Sequence, residues 1–210
     1  MQAKMIAGHE LTPGKTVKDH IHVEGTELHV PHVLLCGEQP GPTVLITAGI
    51  HNAEYVGIQA AIELSNELDV STLRGNVVLV PLVNRSGFEN RTMSRVFEDG
   101  KNLNRVFPGD REGSEAERLA HMLFEVFIRN ADAYIDLHCG EMFESLTPYV
   151  YYAGAGTEQT TQHSRRMAEL VSVPYMVQSQ AVSGAYNCAG LMGIPSILIE
   201  RGCQGMWTQQ

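Results

Sequence analysis

Two histidines and two glutamates in this chain have the types and spacing that could do chemistry. His51 and Glu54 stand three residues apart in "TAGIHNAEYVG" (47–57), directly after the apolar run "GPTVLITA". His138 ends a third apolar run in "ADAYIDLHCG", with Asp136 two residues before it, and Glu200 closes "SILIERG". Polar groups at the mouths of core elements cost free energy unless something satisfies them. Two imidazoles and one carboxylate are a donor set that binds catalytic zinc while leaving one position for water, and a separate carboxylate can then carry the proton.

Each residue also has a plainer reading. His51 could be a satisfied structural histidine, since this residue type is commonly half-buried. Glu54 could be a first-turn acid complementing a helix dipole. Asp136 reads as a hydrogen-bond partner of His138 rather than a ligand. Glu200 is the hardest to dismiss, because a glutamate flanked by Ile199 at a buried strand end needs a partner or a role.

The stretch "EDGKNLNRVFPGD" (98–110) is the second informative one. Arg91, Arg95, Lys101 and Arg105 fall in one loop of an acidic protein, and Arg105 has Asn104 beside it. The guanidinium fork matches a carboxylate, and an amide adds a donor. The alternative is a solvated basic loop whose "PGD" is simply a turn.

The elements that must position these residues follow from periodicity. "TELHVPHVLLCG" (26–37) alternates and reads as an edge strand carrying Pro31. "GPTVLITAG" (41–49), "GNVVLVPLVN" (75–84), "ADAYIDLHCG" (131–140) and "GIPSILIERG" (193–202) are apolar enough to be strands covered on both faces. "PYVYYAG" (148–154) is another strand. Helices are expected over 53–68, 114–130 and 158–172, the second opening on the capping box of Ser114 and Glu117. Residues 85–113 form a long polar stretch with scattered Phe and Val, read as an ordered, packed loop. Strands alternating with helices imply an α/β fold, a mixed and largely parallel sheet with helices on both faces. In such sheets ligands bind beyond the carboxyl ends of the strands, where His51, Glu54, His138 and Glu200 all fall.

The chain has 210 residues, 43% hydrophobic and 19% charged, with a net charge of −9. That is ordinary globular composition for a single domain over 1–210. No dense Lys/Arg run offers a nucleic-acid footprint, and no run of 18 apolar residues offers a membrane span. Four scattered cysteines and an N-terminus without an apolar signal region suit a reduced, cytoplasmic protein. Assembly into a homo-oligomer is left open. His20, His22, His29 and His32 read as solvent-facing strand residues, and His121 and His163 as helix-surface residues. Cys139 should point away from His138, and neither a GxSxG elbow nor a P-loop is present.

"GIHNAE", "NLNRVFPG", "DLHCG" and "ILIERG", in that order, resemble the succinylglutamate desuccinylase/aspartoacylase family of zinc carboxypeptidase-like hydrolases, over roughly residues 40 to 205. The resemblance implies one Zn2+ held by His51, Glu54 and His138. It implies that Asn104 and Arg105 bind the substrate carboxylate and that Glu200 is the general base and acid. An upstream arginine polarises the scissile carbonyl in this family; Arg91 is the first choice and Arg95 the reserve. The expected reaction is hydrolysis of the amide of a small N-acyl amino acid, N-acetyl-diaminobutyrate being one candidate. A metallocarboxypeptidase acting on peptides and a non-catalytic metal- or ligand-binding domain are the rival readings. Asn52 and Ala53 depart from the family's usual "GIHGNE"-like run without touching the ligands. Family members continue into a smaller β-rich domain that is not expected within these 210 residues.

Overall fold

The computed structural model describes residues 4–207. A short ribbon of β1 (Met5–Ile6) and β2 (His9–Glu10) precedes the main sheet, whose strands are β3 (Thr16–His22), β4 (His29–Cys36), β5 (Gln39–Ala48), β6 (Arg74–Val80), β7 (Ala133–His138), β8 (Tyr149–Ala153), β9 (Tyr175–Ser179) and β10 (Ser196–Glu200). Their order across the sheet is β3-β4-β6-β5-β7-β10-β8-β9. The central strands β6, β5, β7 and β10 are mutually parallel; β3, β4 and β8 join antiparallel, and β9 runs parallel to β8. The α/β expectation, a mixed and largely parallel sheet, holds.

Helices cover both faces. On one face α1 (Tyr55–Glu67) and α4 (Glu158–Glu169) pack on Val33, Leu35, Ile46, Leu79, Val150 and Ile197. On the other, α3 (Glu115–Met122) and α5 (Ala185–Leu191) share a core with Leu45, Val78, Val80, Tyr134 and Leu198. Burial on both faces is why β5, β6 and β7 read as near-continuous apolar runs.

Several elements differ from the sequence reading. β4 is an inner strand and β3 the edge. Pro31 is tolerated because it pairs only with β3, the ladder to β6 beginning at Val33, so its missing N–H breaks no bond there. His32 is not solvent-facing: it is buried against Phe127, which lies beyond α3. The helix from Ser114 has its capping box but passes into a wider π turn at Leu123–Phe127 and a 3-10 turn at Ile128–Asn130. Within 85–113 the chain forms α2 (Arg85–Asn90) and a 3-10 turn at Leu103–Arg105; Val96, Leu103 and Phe107 are buried, whereas Phe88 and Phe97 are exposed. β9 and α5 lie in a stretch assigned no element from sequence. β9 is an edge strand whose apolar residues Tyr175, Met176 and Val177 stay exposed, and α5 is a short, almost wholly buried helix whose small residues show no amphipathic period.

Candidate metal centre and its cavity

β5 ends at Gly49, whose φ of +68° is a conformation only glycine adopts freely; a Cβ there would also meet Leu82 at 2.9 Å. The turn delivers His51 and Glu54 before the helix rather than on its face, since α1 begins at Tyr55. Glu54 is the residue preceding the helix, yet its side chain makes no cap, and the first turn of α1 holds no acid. Glu54 is therefore not a first-turn acid, and its carboxylate is turned to the two histidines rather than to the helix N–H groups. Gly57 lets α1 press onto β7, because a Cβ there would lie 2.9 Å from the Leu137 carbonyl oxygen. That approach brings Glu54 to His138.

The Glu54 carboxylate bridges both histidines. Oε1 lies 2.8 Å from His51 Nδ1, and Oε2 lies 2.8 Å from His138 Nδ1 while also accepting the Cys139 N–H at 3.1 Å. The two rings meet edge to face with centroids 5.0 Å apart. One donor atom from each of His51, Glu54 and His138 falls within 4.8 Å of the others.

The outer nitrogens also face oxygens. His51 Nε2 faces Asn102 Oδ1 at 3.2 Å, and that oxygen is fixed as an acceptor because it takes the Asn104 N–H at 3.0 Å. His138 Nε2 lies 3.1 Å from Asp136 Oδ2, and neither atom has a better-aligned partner. Asp136 Oδ1 accepts from Thr47, whose hydroxyl also meets Tyr134. A neutral imidazole carries one N–H. Each ring presents both nitrogens to oxygens, so a neutral ring can answer only one of them, and the other calls for positive charge, either a second ring proton or a cation held by the inner nitrogens and Glu54. Two buried carboxylates, Glu54 and Asp136, sharpen the demand for positive charge. The donor set thus fits a divalent ion.

The titration behaviour has the same origin. Burial alone would raise the Glu54 carboxyl, but the His138 and His51 rings outweigh it and bring it down to about 2. Burial opposes charging His138, yet Glu54 and Asp136 hold its pKa well above the ordinary range. Burial pushes Glu200 up to about 7 against the pull of His138, with Glu54 and Glu144 adding to the rise. Cys139 is buried, and burial pushes its thiol up to about 12, which makes it a poor nucleophile.

A cavity of about 460 Å³ opens beside these residues, lined by His51, His138, Glu200, Asn104 and Arg105 together with Tyr149, Tyr151, Tyr186 and Asn187. Asn104 is nearly buried and its Oδ1 accepts the Ala185 N–H at the start of α5, so it ties the loop to the cavity wall. The other basic residues of the loop go elsewhere. Lys101 pairs with Glu117 at 3.0 Å, Arg95 donates to the Gly100 carbonyl at 2.8 Å, and Arg91 lines a separate cavity with Tyr55, Phe88 and Trp207. Sequence reasoning missed Asn102, Glu141 (3.7 Å from His51 Nδ1) and the cavity's tyrosines. Tyr149 and Tyr151 had a signal, since the alternation in β8 sets them on one face. Nothing in the sequence pattern marked Glu141 or Asn187.

Residues 40–210 match the succinylglutamate desuccinylase/aspartoacylase catalytic domain. The chain belongs to that family. Over 138 residues it is 33% identical to the N-alpha-acetyl-L-2,4-diaminobutyric acid deacetylase of Halomonas elongata, a match that covers 65% of this chain and 40% of that protein. An aspartoacylase family protein from Mesorhizobium loti superposes with a TM-score of 0.82 at 25% identity, over 98% of this chain and 67% of that one. A succinylglutamate desuccinylase/aspartoacylase from Rhodobacter sphaeroides gives 0.78 at 28% identity, over 87% and 54%. The match thus spans about 40% of the length of the curated relative.

Proposed function

We propose that this family member is a zinc-dependent amidohydrolase that removes the acyl group from a small N-acyl amino acid. One observation carries the reading: a single buried carboxylate, Glu54, joins two histidines at the rim of a cavity that also holds Glu200 and Arg105. His51, Glu54 and His138 would hold the ion, and the His2Glu set is one that catalytic zinc uses. Bound there, zinc would supply Lewis acidity towards a carbonyl oxygen and make water acidic enough to attack near neutral pH.

The remaining work falls to side chains. Glu200, poised at about 7, takes the proton of the attacking water and returns it to the leaving amine. Arg105 pairs with the substrate carboxylate, and Asn104 holds that wall against α5. For the carbonyl-polarising arginine, Arg95 is better supported than Arg91. Its backbone bridges Asn102, whose side chain touches His51, whereas Arg91 faces the Tyr55–Trp207 cavity. The deacetylase relative, named for an N-acetylated amino acid, supports the substrate class.

The test is turnover of a panel of N-acyl amino acids by the zinc-loaded chain, with short peptides as the contrast. Hydrolysis of the N-acyl amino acids that stops on chelation supports the proposal. Cleavage of peptides alone, or metal binding without turnover, removes it.

A further inference from the structure

Five of the nine histidines lie on the antiparallel side of the molecule: His9 on β2, His20 and His22 on β3, and His29 and His32 on β4. Alternation along β3 puts His20 and His22 on one face. The ladder then sets His29 directly opposite His22, whereas His20 faces Pro31. His22 and His29 are both exposed, and their ring centroids lie 4.9 Å apart with an interplanar angle of 44°. The rings of His51 and His138, the pair assigned to the first ion, are 5.0 Å apart. Two imidazoles at that spacing, open to solvent, can share an ion that arrives from solution.

The His22 ring is also held in the way a ligand's ring is held. Its Nε2 lies 2.6 Å from the Thr26 carbonyl oxygen. A carbonyl only accepts, so Nε2 carries the proton and Nδ1 keeps the lone pair of the neutral ring. Metal-bound histidines are characteristically backed by such a bond, which fixes the tautomer and aims the ring. The turn that offers the oxygen is itself tied down. Thr26 Oγ1 donates to the Val23 carbonyl at 2.8 Å and accepts the Leu28 N–H at 3.0 Å, and the Val23 N–H reaches the Leu28 carbonyl at 2.9 Å. Local charge favours a cation as well: a cavity of about 230 Å³ beside His29 is lined by Glu27, Glu89 and Glu98. The one cation lining it, Arg85, is already paired with Glu89 at 2.8 Å.

We propose that His22 and His29 form a second metal site, which binds a divalent transition ion of the class that imidazole prefers, copper(II) more tightly than zinc or nickel(II). The two rings hold the ion and water fills its remaining positions. The ion joins the edge strand β3 to β4 at the closed end of their hairpin, so its binding adds to the stability of that edge. Both residues precede residue 40, where the family match begins, and the site is independent of the amidohydrolase reading.

The test is zinc uptake by equilibrium dialysis at about pH 7.5 and about 0.1 mM free zinc, where imidazole ligands are largely neutral. The wild-type chain is expected to take up one equivalent more than His22→Gln or His29→Gln. His20→Gln, altered on the same face but opposite Pro31, should match the wild type. The difference between wild type and variant is read directly, so it stands whether or not the first site fills. Added zinc should also raise the melting temperature of His20→Gln by more than that of His29→Gln. These exposed substitutions leave the core untouched, and equal melting temperatures in chelator would show each variant folded. Equal uptake by the wild type and His29→Gln would overturn the site. So would an equal loss in His20→Gln, which would mean ions collected loosely by surface imidazoles.

Discussion

Glu200 stands directly beside His138, the two residues being partners in the parallel ladder between β10 and β7. Sheet hydrogen bonds therefore hold the proposed proton carrier next to a proposed ion ligand at the spacing of adjacent strands, about 4.8 Å. Neither side chain depends on loop flexibility for this juxtaposition.

It follows that Glu200→Gln should separate the two roles. The amide keeps the shape and leaves His51, Glu54 and His138 in place, but it cannot take a proton. Zinc content should stay at one per chain while kcat falls about 100- to 10,000-fold. Wild-type kcat in the mutant would remove Glu200 from the mechanism.

Proton linkage at the metal centre gives opposite pH profiles with and without zinc. Glu54 is held at about 2, below its ordinary 4.5, so its contribution is present above about 4.5 and lost as pH falls towards 2. His138 is held well above its ordinary 6.5 in the zinc-free protein, so its contribution is full below about 6.5 and lost as pH rises through the folded value. Zinc must displace that proton, and its affinity should therefore increase with pH. Melting temperatures with chelator should decline on the alkaline side of neutrality, while those with excess zinc should not. A chelated protein as stable at about pH 9 as at about pH 6 would contradict the His138–Glu54 linkage.

Asp136→Asn tests the support behind His138. Asp136 is fully buried, faces His138 Nε2 at 3.1 Å and is itself held by Thr47. Removing its charge frees the ring to change tautomer and weakens its basicity, which for such outer partners typically costs about 10- to 100-fold in metal affinity. Competition against a zinc-binding dye would measure this; unchanged affinity would make Asp136 purely structural.

The parts of this site that were legible in the sequence are those set by strand ends. His138 and Glu200 could be placed because an apolar run ending in a polar residue marks the mouth of a covered strand, and a parallel sheet gathers such mouths on one rim. His51 and Glu54 were found by their proximity to such an end, although they sit in a turn and not on a helix face. Asn187 was not legible, because α5 buries nearly all its residues and shows no period that could set one of them against the cavity. His32 was misplaced for a related reason: alternation gives a residue's face, but not which element covers that face.

Arg105→Ala should raise KM for substrates bearing a free carboxylate while changing kcat far less, because the contact is made in the ground state and the transition state alike. The matching amidated substrates provide the control. Equal losses on both substrate types would assign Arg105 to shaping the cavity wall.

The choice between Arg91 and Arg95 can be decided by single substitutions read in kcat. Arg91 takes a left-handed conformation at the end of α2 and lines a cavity with Tyr55, Phe88 and Trp207, separate from the cavity that holds Glu200. Arg95 forms a backbone bridge to Asn102, and release of its bond to the Gly100 carbonyl would free the guanidinium. Loss of one donor to a developing oxyanion typically costs about 100- to 1,000-fold in kcat. Arg95→Ala should show a loss of that size and Arg91→Ala should stay close to wild type. The reverse ranking would require Arg91 to leave the aromatic cavity on substrate binding, and would place the polarising group at the end of α2 instead of on the segment bridged to Asn102.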